Sequence, residues 1–386
     1  MAMTSFPPLR LRARPTLTSD FTGAGGGNFS HAGATVPKGW VEASGCYVMD
    51  TALSKDGSKL AAAVSTKFTV RLYDTRGTLA PIATCKGHKN RVTGVVFPSE
   101  NDMFSCSEDG WVHRWDARAN CNKPAQRMHA PGKNAKLTSL DVGCGDNVVV
   151  AGTSEGTDSK AMFWDVRSGS VLGKYVHGHT DAISQVKFDP LRSQYLLTGS
   201  LDGLICWYDA SIAGEENAML SVMNTESAVT KLGFFGPGNP CLYCINHTKD
   251  LSLWHIEKSA PMAMYTDVRT RLNVDFLIDC IYFEGQATQE LWLASGTHSG
   301  SVGLSSVTLK DITPVYSLCD DRKEVKGHTQ DVRCLSVAAS DSAIGYPARI
   351  FTGGEDGLIC DWGLKAGSAS RRARKQRPGN RRAAPY

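Results

Sequence analysis

The 386-residue sequence predicts an all-β fold assembled from repeated copies of one small sheet. Three observations lead there. One pattern occurs at 87–116, 178–209 and 327–362: Gly-His, a polar loop, two short apolar runs, an Asp-Gly turn, and a third run closing on Trp-Asp or a near variant. Between turn signals lie apolar runs of 4–8 residues among 38 glycines, and no long stretch shows the 3.6-residue period of a helix. A lone three-stranded meander leaves its apolar face wet, so the copies must pack on one another.

The pattern Gly-His, then Ser/Thr-x-x-x-Asp-Gly, then Trp-Asp resembles the signature of WD-repeat β-propellers, whose units carry four strands over about forty residues. In order, blade 1 is expected over Cys46–Leu53, Leu60–Ser65 and Phe68–Asp74, with Tyr73-Asp74 in the Trp-Asp place. Blade 2 is the copy at 87–116, and blade 3 takes Leu137–Val142, Val148–Thr153 and Ala161–Asp165. Blade 4 is 178–209, built on Ala182–Phe188 and Tyr195–Ser200 and ending on Tyr208-Asp209. Blade 5 is degenerate, over Ala228–Phe235, Cys241–Asn246 and Leu251–His255. Blade 6, over Phe276–Phe283, Leu291–Gly296 and Ser301–Leu309, lacks both Gly-His and Trp-Asp. Blade 7 is the third clear copy. The span 40–364 divides into seven units of about 46 residues, which predicts a seven-bladed propeller over 39–364. No apolar strand follows Leu364, so the outer strand of blade 7 is expected from the N-terminal side, around Gly39–Ala43.

Residues 1–38 (a Pro/Arg stretch, then Gly-Ala-Gly-Gly-Gly) and the basic segment 365–386 read as flexible tails. Arg10, Arg12 and Arg14 suggest a mitochondrial presequence, but Pro7, Pro8 and Pro15 break the helix such a signal needs. The formal charge of +4 hides an asymmetry: residues 20–370 carry 32 basic and 38 acidic side chains, a net of −6. The C-terminal excess is Arg371, Arg372, Arg374, Lys375, Arg377, Arg381 and Arg382, a run suited to neutralising RNA phosphates or an acidic partner, or to serving as a nuclear address. No run of 18 apolar residues predicts a membrane helix. The twelve cysteines, spread through strands, read as buried apolar residues of a reducing compartment. Cys241 and Cys244 have CxxC spacing with His247 nearby, but a zinc site wants a second pair, so no metal or cofactor is expected.

The resemblance implies a buried network in each clear blade: His88, Ser105, Asp109 and Trp115; His179, Thr198 and Asp202 with Tyr208 at the Trp position; His328, Thr352, Asp356 and Trp362. His–Ser–Asp invites a hydrolase reading. A serine inside a strand with its hydroxyl committed to a network, and no oxyanion donor in view, argues for a structural role. The match to a nucleophile elbow at Gly152–Gly156 precedes another strand rather than a helix, and the glycines at 23–27 lack the strand and helix of a phosphate loop. No enzyme is expected.

Surface contact remains. The resemblance places top-face positions at Arg91, Thr93 and Glu108; Ala182, Ser184 and Leu201; and Asp331, Arg333 and Glu355. Their mixed signs suit polypeptide better than a phosphate backbone. Trp115-Asp116-Ala117-Arg118 and Trp164-Asp165-Val166-Arg167 resemble the box with which substrate receptors of cullin-4 ubiquitin ligases dock on their adaptor, which makes Arg118 and Arg167 candidates for that contact. Blade spacing, this pair and a basic tail ending in Pro-Tyr are similar to the WD repeat-containing protein 89 family. That resemblance implies a eukaryotic scaffold for protein complexes, tied to nuclear or nucleolar ribosome assembly; the propeller by itself is expected to be monomeric. A ligase receptor and a histone-peptide reader are the alternatives for function, and the cytoplasm is the alternative for location.

Overall fold

The computed structural model describes residues 9–13, 46–77, 79–119, 121–132, 135–154, 159–248, 250–284, 289–318, 327–338 and 349–364. They form seven four-stranded antiparallel blades in a ring. A strand from the N-terminal side, β1 (Leu9–Ala13), comes first in sequence and last in the ring. Blade 1 is β2 (Val48–Leu53), β3 (Lys59–Val64), β4 (Thr69–Asp74) and β5 (Ala80–Cys85). Blade 2 is β6 (Val92–Val96), β7 (Asp102–Ser107), β8 (Trp111–Asp116) and β9 (Gln126–His129). Blade 3 is β10 (Leu137–Gly143), β11 (Val148–Thr153), β12 (Ala161–Asp165) and β13 (Val171–Tyr175). Blade 4 is β14 (Ile183–Phe188), β15 (Tyr195–Ser200), β16 (Leu204–Asp209) and β17 (Met219–Asn224), with a one-turn helix α1 (Glu215–Ala218) before its last strand. Blade 5 is β18 (Val229–Phe235), β19 (Cys241–Asn246), β20 (Leu251–His255) and β21 (Ala260–Tyr265). A short helix α2 (Val268–Leu272) leads to blade 6: β22 (Phe276–Glu284), β23 (Gln289–Gly296), β24 (Val302–Val307) and β25 (Ile312–Leu318). Blade 7 is β26 (Val332–Ala338), β27 (Arg349–Gly354) and β28 (Ile359–Leu364), completed by β1.

The innermost strands β2, β6, β10, β14, β18, β22 and β26 neighbour one another in turn, and β26 meets β2 to close the ring. Second strands are the driest: β3, β7, β11, β15 and β27 are buried at every position after their first, and β19 throughout. The core is correspondingly divided into clusters, several of which combine neighbouring blades. One joins Leu140 and Val149 of blade 3 to Phe104 and Cys106 of blade 2. Another joins Val48 and Leu60 of blade 1 to Phe351 and Ile359 of blade 7.

Ring closure corrects the sequence reading in position. The strand from the N-terminal side is Leu9–Ala13, inside the segment expected to be a flexible tail, while 39–43 lies outside the described residues. It pairs antiparallel with β28, Leu9 opposite Leu364 and Leu11 opposite Trp362, and touches β25 in parallel at Leu318. The basic segment 365–386 also lies outside the described residues. Among the described residues no helix is long and apolar enough to cross a membrane.

Candidate protein-interaction surface

Each clear repeat brings its predicted residues together at the end of its second and third strands. In blade 2, Ser105 Oγ is the hub: His88 Nε2 lies 2.8 Å from it and the Trp115 indole N–H donates to it at 2.9 Å. His88 Nδ1 faces Asp109 Oδ2 at 3.1 Å, and the Asp109 carboxylate also accepts the Lys89 and Trp111 N–H groups. Burial opposes ionisation of Asp109, but His88 and the backbone donors outweigh it and hold the carboxyl below its ordinary range. Blade 7 repeats the arrangement with His328 on Thr352 (2.8 Å) and Asp356 (3.0 Å), and Trp362 donating to Thr352 at 2.8 Å. In all three blades the network side chains are almost wholly buried.

Blade 4 departs from the pattern because Tyr208 replaces the tryptophan. His179 still meets Thr198 at 2.7 Å and faces Asp202 at 3.4 Å. Burial disfavours the imidazolium, yet Asp202 and Cys206 raise the His179 pKa to about 9. The Tyr208 hydroxyl fills the room beside Gly178, where an added Cβ would lie 2.1 Å from it. Glycine is therefore required here by contact. The Glu215 carboxylate seals the same corner, accepting the successive N–H groups of Val176, His177 and Gly178 at 2.6–3.0 Å. In a nest of this kind the acid replaces water on three otherwise open donors.

His113 was not singled out in the sequence, yet it lies buried beside the blade 2 network. Its ring stacks on His88 with centroids 4.0 Å apart, and its Nδ1 has no hydrogen-bond partner among the described residues. Burial, with His88 alongside, pushes its pKa down to about 3. An unfolded histidine titrates near 6.5, so between about pH 3 and 6.5 the unfolded chain binds a proton that the folded chain refuses. Stability due to this group is complete above pH 6.5 and falls with acidification, by up to about 1.4 kcal/mol per pH unit. His113→Met is expected to flatten the change in urea midpoint between pH 6.5 and 4.5; an unchanged slope would show that His113 carries none of it.

The top-face positions share one geometry. The third residue after the network histidine and the residue before the turn aspartate are joined by the hydrogen bonds Glu108 N to Arg91 O, Leu201 N to Ala182 O and Glu355 N to Asp331 O. Arg91 pairs with Glu108, and Arg333 pairs with Glu355 while lying 5.8 Å above the Tyr47 ring. Asp331 receives His298 of blade 6 at 2.9 Å. The fifth residue after the histidine follows the same bulge in each clear blade but is used differently. Arg333 stays exposed, whereas Thr93 turns its hydroxyl to the Leu137 carbonyl of blade 3 at 2.9 Å, and Ser184 reaches Val229 O of blade 5 likewise at 2.5 Å. These two hydroxyls stitch blades together. A cavity of about 440 Å³ opens between blades 2 and 3, bounded by Asn90, Glu108, Asp109, His129 and Lys136.

At the opposite ends of the third strands, Asp116 accepts the Arg118 N–H and is gripped by the Arg118 guanidinium at 2.9 and 3.0 Å. Asp74 and Arg76 do the same in blade 1, a match hidden in the sequence by Tyr73. In blade 3 the Asp165 carboxylate turns to Ser168, and Arg167 stays exposed without an ion pair among the described residues.

The channel carries charges that alternation alone reads as core. Asp50 accepts the Val95 N–H of the next blade at 3.0 Å, and Asp141 the Phe188 N–H at 2.8 Å, so each covers an open donor on a neighbouring inner strand. Burial pushes the Asp50 carboxyl up against the pull of Lys231. Asp279 accepts the Tyr243 hydroxyl at 2.9 Å beside a cavity of about 320 Å³. Thr153, in the match to a nucleophile elbow, accepts the Lys160 N–H, and β11 pairs directly with β12. Cys241 and Cys244 are buried within β19, and no group of three metal-ligating side chains occurs among the described residues.

The family model for the WD domain, G-beta repeat, matches residues 79–116, 169–209 and 319–360, each of which takes in the first three strands, or most of them, of one of the three clear blades. The chain is 30% identical over 339 residues to WD repeat-containing protein GTS1 of Arabidopsis thaliana, spanning 82% of this chain and 81% of that one. It is 27% identical over 281 residues to the WD repeat-containing protein 89 homolog of Dictyostelium discoideum, covering 71% of this chain and 74% of the relative. Nucleoporin Nup43 of Homo sapiens is 29% identical over 126 residues, a third of each chain.

Proposed function

Since this chain belongs to the WD-repeat family, whose propellers typically serve as protein-interaction scaffolds, we propose that it is a non-enzymatic scaffold that gathers protein partners on the propeller and touches RNA or an acidic partner through residues 371–386, in nuclear or nucleolar ribosome assembly. The observation that carries the reading is how the polar side chains are used. Both conspicuous His–Ser/Thr–Asp sets with a tryptophan commit the one buried hydroxyl on two sides, to the indole N–H that it accepts and to the histidine Nε2, which makes Ser105 and Thr352 hubs of a rigid turn rather than nucleophiles awaiting a substrate. What is left for recognition is a rim of paired charges at Arg91–Glu108 and Arg333–Glu355, suited to an irregular polypeptide surface. Seven cations in the last sixteen residues supply what the rim lacks, a uniform positive run. The nucleoporin relative supports a nuclear association.

The test is affinity purification with mass spectrometry, with and without ribonuclease, of the full chain, a chain lacking 371–386, and Arg118→Ala/Arg167→Ala. Ribosomal precursors are expected with the full chain and lost on tail removal. For the purified protein, log affinity for single-stranded RNA should fall with log salt at a slope of several, up to about −5 if all seven cations are engaged. Tail-independent, salt-insensitive association would remove the tail from the reading. Recovery of the cullin-4 adaptor that depends on Arg118 and Arg167 would replace it with a ligase receptor, and recovery of histones with a histone-peptide reader.

A further inference from the structure

The outer strands of blades 1 to 5 end their sheets as open edges, with a row of backbone donors and acceptors facing away, whereas β25 and β1 pair with each other. Four of the five carry a device that discourages another strand from pairing there. Pro81 interrupts β5 and Pro261 β21. Arg127 charges the four-residue β9, and Lys174 charges β13. The exception is β17, whose sequence Met-Leu-Ser-Val-Met-Asn holds neither proline nor charge. Its bulge near Leu220 is no substitute, because β5, β13, β21 and β25 have the same irregularity and a proline or lysine besides. Leu220 and Val222 on this strand are 43% and 44% exposed. An uncharged, proline-free edge with exposed aliphatic side chains is one to which an added strand can bind.

The flanks decide what kind of strand. Glu216 is exposed just before β17, and Glu226 is exposed just after it. A second copy fits poorly: antiparallel self-pairing that sets Leu220 opposite Val222 brings the Glu216 end of each copy beside the Glu226 end of the other, like charge near like charge. A strand with basic ends answers both acids. The chain already shows that a strand alternating leucine and arginine can complete a blade, since β1 does so on β28. We propose that β17 is a docking edge for an extended segment of a partner protein, apolar at alternate positions and basic at its ends, which adds to blade 4 as a fifth strand. The tail has no part in this contact, so either reading can fail without the other.

The probe is a fluorescein-labelled peptide, Arg-Leu-Thr-Val-Thr-Leu-Arg, titrated by anisotropy with full-length protein. Saturable binding is expected, weakened at least ~10-fold when both arginines become glutamates or when alternate backbone nitrogens are methylated. Val222→Lys and Leu220→Lys, each checked for an unchanged melting curve, should weaken it as much. Ile82→Lys on the guarded β5 should leave it unchanged. Failure to saturate, equal binding of the glutamate or methylated peptide, or equal loss with Ile82→Lys would each overturn the proposal. So would a dimer of the free protein, seen by light scattering, that Val222→Lys dissociates, because the occupant would then be a second copy.

Discussion

Replacing Trp115 with alanine is expected to lower stability by about 3–5 kcal/mol, the range for removing a buried aromatic side chain from a packed core. Trp115 is 1% exposed and packs with Leu72, Val95 and Met103 in the cluster shared by blades 1 and 2. Its indole N–H also donates to Ser105, so truncation leaves a cavity and removes one of the two partners on that hydroxyl. Trp115→Phe separates the two effects. It keeps most of the apolar area and removes the donor, for an expected loss nearer 1 kcal/mol from the hydrogen bond plus whatever small gap remains. Blade 4 shows a natural alternative at the same place, with the Tyr208 hydroxyl beside Gly178, and Trp115→Tyr should accordingly be the mildest change of the three. Denaturant midpoints followed by circular dichroism decide it. A loss below 1 kcal/mol for the alanine variant would mean that this blade does not depend on its network.

The same effect explains which parts of the fold were legible. First, second and third strands are buried runs such as Leu196–Ser200, so their apolar patterns stand out between turns. Outer strands such as β13, Val-Leu-Gly-Lys-Tyr, are exposed along most of their length and carry Gly, Lys or Pro, so they resemble loops in sequence. The closing strand was hidden for a related reason: Leu-Arg-Leu-Arg-Ala sits between prolines and reads as a basic stretch until β28 is seen to lack a neighbour. The site divides in the same way. Network residues were legible because a repeated motif fixes their spacing, and the structure brings each set together. The second use of Thr93 was not legible because spacing does not show that a short hydroxyl after the first-strand bulge reaches the next blade's carbonyl, where the longer Arg333 stays exposed. Asp50, Lys231 and Asp279 were missed because inner strands read as core, whereas in a ring their free edges and faces line a channel.

A surface that presents paired charges above and an open edge at one side depends on a ring that holds its blades at fixed angles. Blade 7 is the weak point, since β1 comes from the opposite end of the chain. Without β1, the outer side of β28 would lose its pairing partners opposite Leu364, Gly363, Trp362 and Asp361. Loss of β1 would also remove the backbone neighbour of Trp362, the donor to Thr352 in the blade 7 network, and the contact with blade 6 at Leu318. At about 1 kcal/mol net for each ladder hydrogen bond, removal of residues 1–15 is expected to cost about 3–5 kcal/mol. For a protein of this length that is a fall in melting temperature of about 4–6 °C. Limited proteolysis should then open the chain first near 349–364, because a blade with a free edge unfolds locally before the ring does. A truncated protein that melts with the full chain and resists protease at that blade would show that β1 does not hold the ring closed.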